Sequence, residues 1–383
     1  MDHGVVTGEA VGVALRCRPG TFRPPTLDTL PAAVTANVAE LRARTGATVM
    51  AVVKADGYGH GAVTVAEAAV AAGAGWLGTT SVAEAAALRA AGLAVPILTW
   101  LHPDGIDAGA AAVAGVDVAV GSVDELGALL ARTAWPQRVH LHLDTGMARG
   151  GCPRREWDGL IALARRGHEA GSVRVVGVMG HLPLADRADP AANAPAVAGL
   201  REALHRIRAA GLGTPIAHLA ATSATLTDPA THLGMVRVGA GLVGIDPSGT
   251  VALHGAARLT VPVVHTTAVV AGTPVGYDGT YVTDRATHLS VLPVGYADGI
   301  PRELSAAAGV ELGGRRFRLA GRVSMDQIVV DTGAEAFPPG TAATVFGPDG
   351  GATPTVHDWA RWAGTIPHTI VTGLGPRVRR SVA

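Results

Sequence analysis

"ATVMAVVKADGYGHGAVTVAEAAVAAGAGWLGTTS", residues 47–81, decides how the rest of the chain is read. It opens on a Val-rich apolar run (47–54), breaks at glycines, and continues as an Ala-rich stretch of helical character over Gly61–Ala72. It then returns to an apolar run, "WLGTTS" (76–81). Strand, helix, strand is the unit of a parallel sheet with crossover helices. The alternation continues through "VPILTWL" (95–101), "VDVAVGS" (116–122), "RVHLHLD" (138–144), "VRVVGVMGH" (173–181), "TPIAHLA" (214–220) and "MVRVGAGLVG" (235–244). Helix candidates between these include Ser81–Ala91, Ser122–Ala131, Arg154–Gly167 and Pro195–Ala210. Eight such units predict a closed (β/α)8 barrel of the TIM type. The alternative, a doubly wound open sheet, lacks its usual mark: no Gly-x-Gly-x-x-Gly follows the first strand with an acidic residue about 20 positions on.

After Gly244 the texture changes. "ARLTVPVVHTTAVVAG" (257–272), "ATHLSVLPVGYADG" (286–299) and "RRFRLAGRVSMDQIVVD" (315–331) are short strands parted by Gly and Pro turns. They predict a separate β-rich domain, in which only "TVHDWARWAG" (355–364) looks helical, capped by Thr355. The expected organisation is an N-terminal extension over 1–20, a barrel over 21–250 and a C-terminal β domain over 251–383.

Composition removes several function classes. Apolar residues make up 48% of the chain and charged residues 16%, enough to bury a large core. Acidic and basic residues balance at 31 each, which offers no electrostatic reason to expect nucleic acid or an anionic membrane as partner. There is no apolar run of the length a membrane span needs. The N-terminus carries Asp2 and Glu9 instead of a basic region leading into an apolar one, so a cytoplasmic protein is expected. Cys17 and Cys152 are too few for a disulfide framework or a cysteine-rich metal site, and no metal is expected.

Lys54 is the only lysine; the other basic residues are all arginine. It ends the first strand candidate. In a (β/α)8 barrel such strand ends line the active-site mouth, and the others here are Ser81, Ser122, Asp144, His181 and Thr222 with Ser223, while Arg237 lies early in the last strand. A lysine desolvated at that mouth loses its proton more readily and can form a Schiff base with a carbonyl compound. His181 taken alone reads more readily as a packed or capping residue than as a functional one. Gly239, Gly241 and Gly244 allow two readings: their N–H groups, with the hydroxyls of Thr222 and Ser223, cradle a phosphate, or they only relieve crowding.

Six stretches carry a resemblance: "AVVKADGYGHG" (51–61), "HLHLDTGMARGG" (140–151), "MVRVGAGLVGI" (235–245), "LPVGYADGIPR" (292–302), "GRVSMDQIVVD" (321–331) and "GPRVRR" (375–380). Together, and in this order, they resemble the alanine racemases, fold-type III pyridoxal-phosphate enzymes, along almost the whole chain. The resemblance implies a barrel followed by a β domain, and a head-to-tail homodimer whose active sites are shared between subunits. It implies pyridoxal 5'-phosphate bound through its aldehyde to Lys54 as an internal aldimine. Tyr58, Thr222, Ser223, Gly239, Ala240 and His368 would surround the phosphate. Arg237 would face the pyridine nitrogen, with His181 near the ring. Tyr277 would be the second catalytic base, donated into the partner's site. Arg149, and Met325 with Asp326 from the other subunit, would hold a small amino-acid substrate, and Tyr296 would line the way in. Of four tyrosines, only Tyr281 lies outside these roles.

The implied reaction is interconversion of L- and D-alanine with Lys54 and Tyr277 as bases on opposite faces. Departures from the family pattern sit at Thr222, Val238, Val243, Ser324 and His368, and in "HLPLADRADPAANAPAV" (181–197). They alter the wall around the substrate side chain, so a racemase for serine or another small polar amino acid is the alternative. A decarboxylase or lyase with the same cofactor on the same barrel fits Arg237 and Tyr277 less well. A non-catalytic cofactor-binding protein leaves the C-terminal domain without a purpose.

Overall fold

A computed structural model describes residues 23–133, 135–348 and 350–383; the expected extension over 1–20, with Cys17, lies outside them. After a short strand β1 (Thr26–Thr29), eight parallel strands close a barrel: β2 (Thr48–Val52), β3 (Trp76–Thr79), β4 (Ile97–Thr99), β5 (Asp117–Val120), β6 (Gln137–His142), β7 (Val173–Met179), β8 (Ile216–His218) and β9 (Met235–Val238). The seam is the pairing of β9 with β2, Thr48 opposite Met235 through Ala51 opposite Val238. That pairing excludes the open sheet.

The two-residue period of a strand sorts the barrel side chains. Val49, Ala51, Leu77, Val118, Leu141, Val178 and Val236 point outward into the large core beneath the helices. Met50, Val52, Leu98, Ala119, Met179 and Met235 form a second, smaller cluster inside the barrel, joined by Trp76, Trp100 and Ile216. Lys54, His142, His181 and Arg237 share the inward parity, which sends them to the interior. Ser81 and Ser122 are spent elsewhere. Each caps the helix that follows, accepting the N–H of Glu84 or Glu125. Asp144 accepts the N–H groups of Gly146, Met147 and Ala148 and so shapes the loop that carries Arg149.

One barrel helix begins earlier than expected. It spans Pro190–Ala209, because Asp189 accepts the Ala191 N–H as its cap and Pro190 occupies the first helical position, with Pro195 tolerated inside. The C-terminal region holds a six-stranded sheet in the order Arg315–Arg318, Gly309–Leu312, Ala342–Phe346, Ala257–Pro262, β1, Arg379–Val382. Strand β1 thus precedes the barrel in sequence but hydrogen-bonds within the second domain, antiparallel to Ala257–Pro262 and parallel to Arg379–Val382. A three-stranded sheet of His265–Val269, Thr287–Leu292 and Ile328–Gly333 stands beside it.

A second C-terminal helix, Pro367–Thr372, was not expected from the sequence. Its β-branched residues disfavour helix, but Pro367 suits the first position, and Ile370 and Val371 are buried. Tertiary packing supplies what propensity lacks. The helix presses on the loop after Lys54, where a Cβ on Gly59 would come within 2.3 Å of the Val371 carbonyl oxygen.

Leu27 on β1 is fully buried, so Leu27→Ala should cost about 2–5 kcal/mol of stability, as truncations in a closed core do. Urea unfolding measures this, and a loss under 1 kcal/mol, well below that range, would mean that β1 is not integral to the second domain.

Candidate active site

The site is built from the turn that leaves β2. Immediately after Lys54, four residues take left-handed backbone angles: Ala55, Asp56, Gly57 and Tyr58, with φ of 51°, 53°, 61° and 57°. Each non-glycine residue there costs roughly 1–2 kcal/mol. The turn is held by bonds from within and from its neighbours. Gly57 N–H donates to Val53 O and Gly59 N–H to Ala55 O, both at 2.9 Å. Glu84 accepts the Ala55 N–H and Asp56 accepts the Ala62 N–H, also at 2.9 Å. Backbone strain held this firmly marks functional positions.

The turn opens onto a pocket of about 220 Å³ at the C-terminal mouth of the barrel. It gathers Lys54, Tyr58, Arg149, His181, Thr222 and Ser223 together with Arg237, Gly239, Ala240 and His368. These are all of the expected cofactor residues, together with Arg149. Three cations, Lys54, Arg149 and Arg237, face one carboxylate, Asp186. Such a cavity suits a ligand with more than one negative group.

Local chemistry sorts the lining. The Thr222 hydroxyl accepts the N–H of Gly241 at 3.1 Å and of Gly239 at 3.4 Å, whereas the Ser223 hydroxyl donates to Asp186 at 2.6 Å. Of the two hydroxyls, Thr222 is therefore the one tied to the glycine segment. Gly239 is required sterically, since a Cβ there would come within 2.2 Å of the Tyr58 hydroxyl. Nδ1 of His368 is buried and has no hydrogen-bond partner, which is rare for a buried polar atom and leaves it able to bond a ligand.

Burial tunes the titratable groups. The Lys54 ammonium is held below the ordinary lysine value, first by desolvation and then by the charge of Arg149, with Glu84 opposing. Burial pushes Tyr58 up to about 12, so its phenol stays protonated and can donate. Burial, with Arg237 and Arg149 adding, drops His181 to about 3 and His142 to about 4, which keeps both rings neutral. Arg237 is lowered by burial to about 10 and still carries its charge at neutral pH. Its guanidinium donates to the carbonyls of Gly180 at 2.7 Å and His218 at 3.0 Å, and to Nδ1 of His218 at 3.1 Å and of His181 at 3.2 Å.

The remaining expected residues lie apart. Tyr277, Met325 and Asp326 line a separate, open hollow of about 490 Å³ in the C-terminal domain, with Tyr277 70% exposed and Met325 53% exposed. Asp326 is paired with Arg377 at 2.7 Å, and Arg377 also grips Asp298. Tyr296 is 40% exposed and lines neither cavity, although its N–H donates to Ser324 O beside Met325. A larger hollow of about 730 Å³ in the same domain, rimmed by arginines such as Arg302 and Arg318, contains none of the expected residues.

The sequence reading missed Trp100, His142, Met179 and Asp186 as lining residues. Parity offered a signal for His142, which stands at an alternate position of "HLHLD" before the strand ends. Nothing local marks Asp186, which reaches the pocket from the short 3-10 helix Ala185–Arg187 after β7.

The molecule matches known proteins along nearly its whole length. The family described as "Alanine racemase, N-terminal domain" matches residues 31–247, and "Alanine racemase, C-terminal domain" matches 256–382. The alanine racemase of Beutenbergia cavernae is 44% identical over 358 residues, covering 91% of this chain and 95% of that one. The alanine racemase of Salinispora tropica is 42% identical over 348 residues, covering 90% and 94%. The crystal structure of alanine racemase from D-cycloserine-producing Streptomyces lavendulae superposes with a TM-score of 0.88 at 38% identity, over 94% of this chain and 97% of that one. With a strained lysine turn at the barrel mouth and a β domain behind it, the chain belongs to the alanine racemase family of fold-type III pyridoxal-phosphate enzymes.

Proposed function

We propose that this protein interconverts L- and D-alanine, with pyridoxal 5'-phosphate held at Lys54 and each site completed by Tyr277 of the partner subunit in a homodimer. The observation that carries the reading is the sole lysine, desolvated at the barrel mouth in the same pocket as the buried guanidinium of Arg237.

The residues present fit the cofactor. The unpartnered Nδ1 of His368, the protonated Tyr58 hydroxyl and the segment of Thr222, Gly239 and Ala240 would take the phosphate. The surplus of cations matches two anionic groups, the phosphate and a substrate carboxylate. When bound, the cofactor supplies an electron sink that acidifies the Cα–H of an attached amino acid.

The chain's own groups do the rest. Lys54, whose proton is held less tightly because of desolvation, takes or returns the Cα proton at Nζ on one face. Tyr277 is unburied in a single subunit, as a residue serving a neighbouring site must be, and its phenol oxygen handles the proton on the other face. Arg149 holds the substrate carboxylate. Arg237 retains its protons at neutral pH, so it donates a hydrogen bond toward the ring nitrogen without surrendering a proton to it. Negative charge then stays near Cα, which favours return of the proton there over transamination.

Borohydride treatment of the purified protein followed by peptide mapping should leave the pyridoxyl mass on the peptide containing Lys54. Because no other lysine exists, a visible cofactor band without that adduct refutes the attachment.

Lys54→Ala and Tyr277→Phe should each abolish racemisation alone. Unfolded together and refolded, they should recover activity, because a mixed dimer contains a site with Lys54 from one subunit and Tyr277 from the other. No recovery in a mixture shown to contain mixed dimers means that the sites are not shared.

His368→Phe should weaken pyridoxal phosphate binding roughly tenfold, the value of one hydrogen bond to a charged group, and leave the alanine-to-serine ratio of kcat/KM unchanged. A ratio that swings toward alanine in the variant would instead assign Nδ1 to a substrate hydroxyl and favour a polar substrate.

A further inference from the structure

The mechanism uses the guanidinium of Arg237 but not what stands behind it. A barrel interior is ordinarily filled by branched apolar side chains. Here the inward positions of β5, β6 and β8 carry Asp117, His140 and His218, and all three are buried. They are bonded in series. Nη1 of Arg237 meets Nδ1 of His218 at 3.1 Å, Nε2 of His218 meets Nδ1 of His140 at 2.7 Å, and Nε2 of His140 meets Oδ2 of Asp117 at 3.3 Å. At the far end of the barrel, half-exposed Arg138 holds the carboxylate, its Nε 2.7 Å from Oδ1.

The direction of every bond is forced. A guanidinium only donates, so Nδ1 of His218 accepts. A neutral imidazole has one N–H, which in His218 must then lie on Nε2 and point at His140. Nδ1 of His140 therefore accepts, and its own proton sits on Nε2, directed at Asp117. Both rings are neutral: burial keeps His218 well below the ordinary imidazole value, and for His140 it outweighs the pull of Asp117. None of the hydrogen bonds made by Arg237 goes to a carboxylate, so the chain of aligned imidazoles is its link to a negative charge.

The core is shaped around this chain. A Cβ on Gly177 would come within 2.0 Å of Nδ1 of His140, so only glycine on β7 leaves room for the ring. Trp76 meets the other side of His140 edge-on, with centroids 5.6 Å apart.

We propose that Asp117 and His140 are positioning residues for the racemase: they set the tautomer of His218 and thereby hold Arg237 as a fixed donor toward the cofactor. This rests on the reading that Arg237 serves the ring nitrogen. In Asp117→Asn, the short bond from Arg138 keeps the amide oxygen, which leaves the amide NH2 facing His140. Both imidazole protons then move to Nδ1, and His218 presents an N–H to the guanidinium N–H. Two donors cannot share that place, so Arg237 shifts.

The experiment compares the parent holoenzyme with Asp117→Asn, Arg138→Gln and Arg237→Glu. The measurements are nitrogen-15 spectra of labelled histidines, kcat and KM for racemisation, and transamination events per turnover. In the parent, both buried rings should be neutral with the proton on Nε2. Asp117→Asn should move it to Nδ1, lower kcat by roughly tenfold to a hundredfold with a smaller change in KM, and raise transamination per turnover. Arg138→Gln keeps the carboxylate and should change neither tautomer nor partition. Parent-like tautomers and partition in Asp117→Asn would overturn the proposal. Should Arg237→Glu leave the partition unchanged, the role of Arg237 at the ring is wrong, and the histidine spectra still judge the relay. If Asp117→Asn does not fold, His140→Leu and His140→Gln decide the matter. Leucine removes the acceptor for His218, a glutamine carbonyl restores it, and equal kinetics in the two would refute the relay.

Discussion

The pairing of β9 with β2 is the constraint on which everything else depends. It closes the barrel, and it sets Met50 opposite Arg237 in register, two residues of the same parity before Val52 and four before Lys54. The lysine and the arginine come from the first and last barrel strands and share one pocket only because that seam closes. A one-residue slip would turn Arg237 outward among the helices and send an apolar neighbour to the site. The interior and exterior cores enforce the register, since the side chains of each strand divide cleanly between them.

The site concentrates features that oppose stability: a run of left-handed residues, three cations in one pocket, and a buried guanidinium. Each has a visible counterweight. Glu84 both completes the cap of its own helix by accepting the Ser81 N–H and accepts the Ala55 N–H, so one side chain stiffens the lysine turn and helps the lysine charge in its second role. Arg237 is surrounded by carbonyl oxygens and neutral imidazoles. Uncompensated charge in an apolar core would be far more costly than this arrangement, in which both Nη atoms are hydrogen-bonded.

The two domains are interlocked through the same turn. The Thr29 hydroxyl on β1 donates to the His60 carbonyl at 2.6 Å, and the helix Pro367–Thr372 brings His368 to within 6.0 Å of the Tyr58 ring, measured between centroids. The C-terminal domain therefore closes the pocket of its own chain on one side. On another side it presents Tyr277 and Met325 to solvent.

How much of this was legible in the sequence follows from the range of the forces involved. Short apolar runs separated by Ala- and Leu-rich helical stretches are local features, so the barrel strands, most of its helices and the change of texture after Gly244 could be read directly. A unique lysine at a strand end is also a local fact, and the motif stretches carried the family. Ser81 and Ser122 were misleading for a local reason as well: a strand end that starts a helix needs a cap, and serine serves that purpose as readily as chemistry. Contacts between distant segments had no such signature. The placement of β1 in the second domain, the helix that carries His368 against its own propensities, and the entry of Asp186 into the pocket all depend on packing between segments far apart in the chain. The line from Asp117 through His140 and His218 to Arg237 is the extreme case. Each residue alone reads as a buried polar oddity on a different strand, and only the closed barrel, with Gly177 clearing the space, brings them within hydrogen-bond distance in one order.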